Sequence, residues 1–196
     1  KEKIPKEITT LSILDPACGS GSFLIGAYQY LMDWYRDWYV AHEPNKHAKN
    51  NLVYIDNDNQ WQLTLAERKR ILVAHIYGVD IDKQATEVAK LSLLLKALEA
   101  PEQKSLFNER LLPELDKNIK CGNALIGTDY FAGQIMPDPT EMARINPFDW
   151  KAEFSEIFQR GGFDAVIGNP PYVRVDSLND RDKNFWSEKF KTSTGK

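Results

Sequence analysis

Leu11-Ser12-Ile13-Leu14-Asp15-Pro16-Ala17-Cys18-Gly19-Ser20-Gly21-Ser22-Phe23-Leu24 joins an apolar run, a carboxylate and a small-residue turn in one short stretch. Residues 11–15 read as a buried strand that Pro16 ends, because proline brings no amide to a ladder. Gly19 and Gly21 permit the tight turn and the close backbone approach that follow. A long helix is expected from about Ser22 to His42, ahead of Pro44. Strand, glycine turn and helix in that order form the first unit of a doubly wound α/β sheet, where nucleotide-like cofactors sit. The other possibility is a plain strand–helix turn, and two glycines alone do not choose between them.

Outward from this unit the same alternation recurs. Residues 76–80 (IYGVD) read as a second strand, followed by a helix through Leu98 that stops before Pro101. Residues 119–121 form a short third strand, and 163–168 (FDAVIG) a fourth that ends at Asn169-Pro170-Pro171. Short β-rich runs between longer helical stretches predict an α/β fold with a largely parallel sheet and helices on both faces. With the strands in the order 3-2-1-4, right-handed crossovers bring the loops after strands one and four side by side. Thr64 with Glu67 predicts a capping box. Asn146-Pro147 predicts a helix start that Gly161 closes. Residues 44–60 and 128–144 read as loops or insertions.

The chain has 196 residues, 25 basic against 28 acidic for a net charge of −3, with 42% hydrophobic residues. These values exclude wholesale disorder and a surface that is basic throughout. No apolar run approaches the ~18 residues of a membrane span, and the start, KEKIPKE, lacks the apolar core of a signal peptide. Two cysteines build no disulfide framework, so a reducing, cytoplasmic compartment is expected. Residue 1 is Lys and not Met, as in an excised segment.

The residues at the strand ends narrow the cofactor. A dinucleotide site wants a third glycine where Leu24 stands, and sets a pyrophosphate on the helix N-terminus. Asp15 would repel that pyrophosphate but attract an ammonium group, which favours S-adenosylmethionine over NAD. Asp80 ends the second strand, where an acidic residue accepts hydrogen bonds from ribose hydroxyls. It could also cap the next helix, a role Asp82 can fill by itself. Ile81 then offers an apolar face to adenine. After the third strand, Asn123 can meet the adenine amino group and Ala124 leaves room for the ring; an ordinary Gly-Asn turn is the alternative.

Asn169-Pro170-Pro171-Tyr172 follows the apolar fourth strand. Two prolines fix φ and remove two donors, leaving a stiff turn with outward carbonyl oxygens. An Asn side-chain oxygen and a proline carbonyl together can accept both protons of an exocyclic amine, drawing its lone pair out of conjugation. Such preorganised acceptors activate a poor nucleophile without a charged base. Tyr172 supplies an aromatic face for a planar group taken out of its stack.

DPACGSGSFL, GVDID, CGNAL and NPPY, in this order, resemble motifs one to four of the amino-type N6-adenine DNA methyltransferases. The wording IYGVDID, AKLSLLLKAL and CGNALIG is similar to the large bifunctional restriction–methylation enzymes and to phage-defence methyltransferases. The resemblance covers residues 11–175. It implies a Rossmann-like fold, S-adenosylmethionine as cofactor and an adenine flipped out of double-stranded DNA as acceptor. It further implies direct in-line transfer without a covalent enzyme intermediate, in a prokaryotic restriction or defence system. Asn169, Pro170, Pro171 and Tyr172 would be catalytic. Asp15, Pro16, Ala17, Cys18, Gly19, Ser20, Gly21, Phe23, Asp80, Ile81, Asn123 and Ala124 would hold the cofactor. Asn123 stands where many relatives carry Asp, keeping an acceptor oxygen. Only residues 1–10 precede the first strand, so the upstream part of the methionine pocket is not in this sequence. By the same comparison, residues 1–196 are the N-terminal part of a catalytic domain without its later strands and its target-recognition domain. Alone, such a segment is expected to be inactive. The same NPPY chemistry also suits a glutamine amide or an RNA base amine, and a non-catalytic cofactor- or DNA-binding module is the reading from another class.

Other features suggest packing. Tyr28, Tyr30, Trp34, Tyr35, Trp38 and Tyr39 fall at helical spacing, and their spread suggests burial against parts outside the chain. Cys18 reads as a small packing residue. His42, His47 and His75 form no ligand pattern, and Asp56-Asn57-Asp58 lacks the glycine of a calcium loop, so no metal is expected. Charges from Arg174 onward are mixed, as on a solvated helix or loop.

Overall fold

The computed structural model describes residues 4–99, 113–172 and 180–190. After a helical turn α1 (Lys6–Thr9), the chain forms β1 (Ile13–Asp15), α2 (Ser22–Ala41), α3 (Pro44–Lys49), and the strands β2 (Val53–Ile55) and β3 (Trp61–Leu63). It continues through α4 (Leu65–His75), β4 (Ile76–Asp80), α5 (Lys83–Leu98) and β5 (Ile119–Cys121). A 3-10 turn (Thr128–Phe131), α6 (Pro139–Ile145), α7 (Trp150–Glu153) and α8 (Ser155–Gln159) precede β6 (Ala165–Val166) and α9 (Asp180–Lys189).

The main sheet is parallel throughout, in the order β5-β4-β1-β6, which is the predicted 3-2-1-4. Asp15 lies opposite Gly78, Asp80 opposite Cys121, and Leu14 opposite Val166, so the carboxyl ends share one edge. Side chains alternate between the faces as a strand requires. Ile13, Ile76 and Ile119 face a core with Leu24 and Tyr28 of α2 and with Ala89 and Leu93 of α5. Leu14 and Val79 face Phe148, Phe154 and Ile157 on the other side. Helices therefore cover both faces of an α/β, Rossmann-like sheet. Gly78 makes the first face fit: a Cβ there would stand 2.8 Å from Leu24 Cδ1 and 3.0 Å from Cys18 Sγ.

At the amino edge, Asp164 receives the Ser12 amide at 2.8 Å and the Ser12 hydroxyl at 2.7 Å, pinning the approach to β6 onto the approach to β1. These bonds hold the Asp164 carboxyl below its ordinary range.

Several expectations change. The 44–60 stretch is no plain loop: it holds α3 and one strand of a β2–β3 hairpin, whose turn is tied by Asp56 to the amides of Asp58 and Gln60. Residues 128–144 hold a 3-10 turn and α6, which Asp138 caps through the Thr140 amide. Asn146 is the left-handed end of α6, with φ 48°, and does not open a helix. Pro147 instead bridges to Asn123, and Asp149 caps α7. Proline two residues before the true cap misled the sequence pattern.

The aromatic helix buries its rings within the chain: Tyr28, Tyr35 and Tyr39 are buried against α4 and its neighbours, and only Tyr30 of the four tyrosines on α2 faces outward. Their hydroxyls explain the choice of tyrosine. Tyr28 donates to the Arg68 carbonyl, and Tyr39 donates to Glu67 Oε1 at 2.7 Å. His75 lies 2.6 Å from the Leu11 carbonyl, which only accepts, so Nδ1 carries the proton and Nε2 receives the Tyr35 hydroxyl at 2.9 Å. Burial lowers the His75 pKa and keeps the ring neutral. Glu67 forms half of the predicted capping box: its amide reaches Thr64 Oγ1 at 3.3 Å. Its carboxylate turns inward to Tyr39 and to a two-pronged contact with Arg70, at 2.7 and 2.8 Å.

The mixed-charge stretch after Tyr172 is also more than a solvated face. In α9, Phe185 and Trp186 pack on Ile126, Tyr130, Phe131 and Ile145, while Tyr130 donates to a buried Asp182. Residues 173–179 and 191–196 lie outside the described residues. No helix among the described residues is long and apolar enough to cross a membrane.

The Glu67 cluster gives a direct test. Glu67→Ala removes the acceptor of two neighbours, and equilibrium urea unfolding should show a loss of about 1–3 kcal/mol, as for charged buried hydrogen bonds.

Candidate functional site

The site grows from the last residue of β1. Asp15 is 1% exposed, and its Oδ1 accepts the Ala17 amide at 3.0 Å. Burial raises its pKa above the ordinary carboxyl range; the Ala17 bond opposes this, and the negative charge of Asp80 adds to it.

Beyond Pro16 the loop turns back on the neighbouring strand. The Cys18 amide donates to the Val79 carbonyl at 3.0 Å, and the Gly19 amide donates to Asp80 Oδ2 at 2.7 Å. Gly21, at φ 88°, begins α2 where a Cβ would meet Ala89 of α5 at 3.2 Å. Gly19 has φ 51° and open space in front of its Cα, so a ligand can approach the backbone there. Cys18 is buried, and desolvation followed by the Asp80 and Asp15 charges pushes its thiol up to about 12. It is a packing residue and no nucleophile at neutral pH.

The two acidic residues after β4 divide their work. Asp82 caps α5 through the Gln84 and Ala85 amides. Asp80 accepts the amides of Gly19 and Asp82, one on each oxygen, and so keeps a lone pair on each for a hydroxyl donor. Ile81 is exposed beside it, as is Phe23 on the first turn of α2.

The loop after β5 is held more tightly than its sequence indicated. Asn123 Oδ1 accepts the Leu125 amide at 3.0 Å, so this oxygen is half committed to its own turn. The Asn123 amide donates to the Asn146 carbonyl, and the Trp150 indole donates to the Ala124 carbonyl. Phe148 lies so close over Gly122 that a Cβ there would collide with its ring. The sequence marks Asn146 only as a helix start and does not single out Phe148 or Trp150. The aromatic pair flanking the Asp149 cap was the available signal.

On the other side of β1, the Ile167 amide makes a ladder bond to the Leu14 carbonyl at 2.8 Å. Gly168 follows at φ 144°, and a Cβ on it would stand 2.5 Å from Asp15 Oδ1. Asn169, Pro170, Pro171 and Tyr172 thus leave the sheet directly beside Asp15, all exposed. Gly168 is the residue that brings the two predicted motifs together, and sequence reading had treated it only as the strand's end. Pro16 and Ala17 are half-buried and Ser20 exposed in the same loop.

The arrangement suits a ligand with a cationic end, hydroxyl groups and no phosphate. Neither Asp15 nor Asp80 has an ion-pair partner among the described residues, although the two carboxylates repel each other. A cleft of about 550 Å³ lined by Thr9, Tyr77, Asn118, Glu153, Glu156 and Arg160 lies at the opposite ends of the strands and contains none of the predicted site residues.

Residues 74–196 match the family model of the Eco57I restriction-modification methylase, and residues 7–119 match that of the RMKL-like methyltransferase domain. The chain is 32% identical over 197 residues to the type II restriction enzyme and methyltransferase RM.Eco57I of Escherichia coli, covering 98% of this chain and 18% of that protein. It is 27% identical over 177 residues to the adenine-specific methyltransferase PglX of Streptomyces coelicolor, covering 86% of this chain and 13% of that protein. A solved nuclease-deletion mutant of the Type ISP restriction-modification enzyme LlaGI, in complex with a DNA substrate mimic, is similar at 16% identity and a TM-score of 0.46, over 91% of this chain and 12% of that one. The chain therefore spans less than a fifth of the length of these relatives.

Asp15 should weaken the fold it serves. Its folded-state pKa is raised, so the cost is absent below the unfolded carboxyl value of about 3.9 and grows as pH rises through the folded value. Asp15→Asn should therefore raise the urea midpoint at pH 7 and lose that part of the decline seen between acid and neutral pH.

Proposed function

Because the chain belongs to the Eco57I restriction-modification methylase family, we propose that it carries the cofactor pocket and catalytic turn of a DNA methyltransferase that methylates the exocyclic N6 of adenine from S-adenosylmethionine. One observation carries this reading. Gly168, directly before Asn169, rests on the Asp15 carboxylate, so an ammonium-binding group and an amine-activating turn share one edge of β1. The similarity to RM.Eco57I and to the adenine-specific PglX favours adenine in DNA over a glutamine amide or an RNA base.

In this reading Asp15 takes the cofactor's ammonium group, and the backbone of 16–21 lines its methionine end. Asp80 accepts from the ribose hydroxyls. Ile81 and Phe23 offer apolar surface, and Asn123 and Ala124 border the adenine ring. When bound, S-adenosylmethionine supplies an electrophilic methyl group on a sulfonium. Asn169 Oδ1 and the Pro170 carbonyl accept the two protons of the target amine and raise its lone-pair density; the rigid Pro170-Pro171 turn holds them in place. Tyr172, 99% exposed, is free to stack on a base turned out of double-stranded DNA. The target amine, attacking that methyl carbon as its bond to sulfur breaks, would release a neutral thioether and afterwards give its surplus proton to solvent.

The chain's share of its relatives supports placing it as one part of a larger catalytic domain, with the surface that reads DNA and the remaining strands elsewhere in the full-length protein. Action on prokaryotic DNA would place that protein in the cytoplasm.

The full-length protein should be incubated with methyl-labelled S-adenosylmethionine and DNA, RNA or a protein extract. Label is expected as N6-methyladenine in DNA, and label only in protein or RNA would reject the acceptor. Asn169→Ala should lower the transfer rate by at least about 10²-fold, as for a lost preorganised polar group, while calorimetry shows nearly unchanged cofactor affinity. The isolated 196-residue chain should bind the cofactor weakly or undetectably.

A further inference from the structure

Asp15 has two neighbours that matter, and they belong to different halves of the site. Through Oδ1 it holds the Ala17 amide at the start of the glycine loop. Across the strand it is packed against Gly168, where a Cβ would lie 2.5 Å from Oδ1, 3.0 Å from Cγ and 3.4 Å from Oδ2. Such close packing requires glycine on steric grounds, and the backbone angle, φ 144°, requires it again. Ile167 is still bonded to β1, so Gly168 is the first residue past the ladder and the pivot from which Asn169 departs.

The carboxylate is also electrically unfinished. It is 1% exposed, receives a single backbone amide, lies near Asp80, and has no ion-pair partner among the described residues. A cation entering this place relieves both the burial and the repulsion and draws the carboxylate into one position. Gly168 is in contact with that carboxylate and has no side chain of its own to anchor it.

We propose that Asp15 is a positioning residue that couples the two halves of the site: an ammonium group bound at Asp15 fixes the carboxylate against Gly168 and thereby orders the Asn169–Tyr172 turn for its acceptor. The proposal rests on the cofactor reading above and adds to it a regulation of the same site. The ligand class that switches the turn is a nucleoside bearing an α-amino group. A nucleoside without the amino-acid arm reaches Asp80 and Ile81 but leaves the turn unordered. Linkage is reciprocal, so an acceptor base held by the ordered turn strengthens the grip on the amino-acid arm.

The test compares two ligands on the full-length protein. S-adenosylhomocysteine carries the ammonium group; 5′-deoxy-5′-methylthioadenosine carries the same adenosine and a thioether without it. Calorimetry establishes saturation of each, and hydrogen–deuterium exchange is read at the amides of Gly168, Asn169 and Tyr172. S-adenosylhomocysteine should slow exchange there by at least about fivefold, the low end of ordinary coupling between sites, and methylthioadenosine should leave it unchanged. Asp15→Asn should retain methylthioadenosine affinity and lose the S-adenosylhomocysteine-dependent protection. Gly168→Ala should do the same if it folds, and Asp15→Asn suffices if it does not. Equal protection by both ligands, or saturating S-adenosylhomocysteine with no protection, overturns the coupling while leaving the pocket intact. Failure of both ligands to bind rejects the cofactor reading, and the coupling falls with it.

Discussion

A strand with hydrogen-bonded ladders on both sides is held in register twice, and β1, like β4, is such a strand here. β4 and β6 each pair with it in parallel, so the loops that leave their carboxyl ends are carried to one edge without contact between the loops themselves being needed. Asp15 ends β1 opposite Gly78, and from there the glycine loop folds over β4 to Asp80 while Gly168 closes from the other side. Displacement of β1 by one residue would turn Asp15 to the opposite face, and each of these contacts would be lost together.

The architecture was legible because its signals are local and redundant. Apolar strands ending at Asp15 and Asp80 and running up to Asn169, with proline directly after Asp15 and Asn169, mark both the sheet and its candidate functional edge. What sequence did not show depends on partners far apart in the chain. Asn146-Pro147 has the composition of a helix start, but the left-handed backbone at Asn146 and the Pro147–Asn123 bridge follow from packing against β5. Glu67 sits at the right spacing for a capping box, yet a buried tyrosine and an arginine outcompete the terminal amide for its carboxylate. Gly168 looked like the end of a strand, since nothing local to it reveals a carboxylate contributed from over a hundred and fifty residues away.

The 44–75 excursion between α2 and β4 illustrates how an insertion is stabilised without disturbing a site. Its strands pair with each other, not with the main sheet, and α4 is secured by hydroxyls from α2 to Glu67, His75 and the Arg68 carbonyl. These bonds lie along the length of α2 away from Gly21, so the glycine loop is free of them. Pairing Glu67 with Arg70 and Tyr39 offsets the desolvation of a carboxylate that is 2% exposed.

The clamp between Ser12 and Asp164 bears on the order in which the molecule is made. It joins residues 152 apart in sequence, and the pairing of β1 with β6 spans a similar separation. The contacts among β1, α2, β4 and α5 close much shorter loops and can form while the ribosome is still supplying the rest. Long-range pairing of this kind raises contact order and slows the step that needs it. The β1, β4 and α5 side of the edge is thus closed by shorter loops than the turn bearing Asn169, which joins it only when β6 pairs. A nascent chain would hold Asp15 and Asp80 at one edge before Gly168 can close on the first of them.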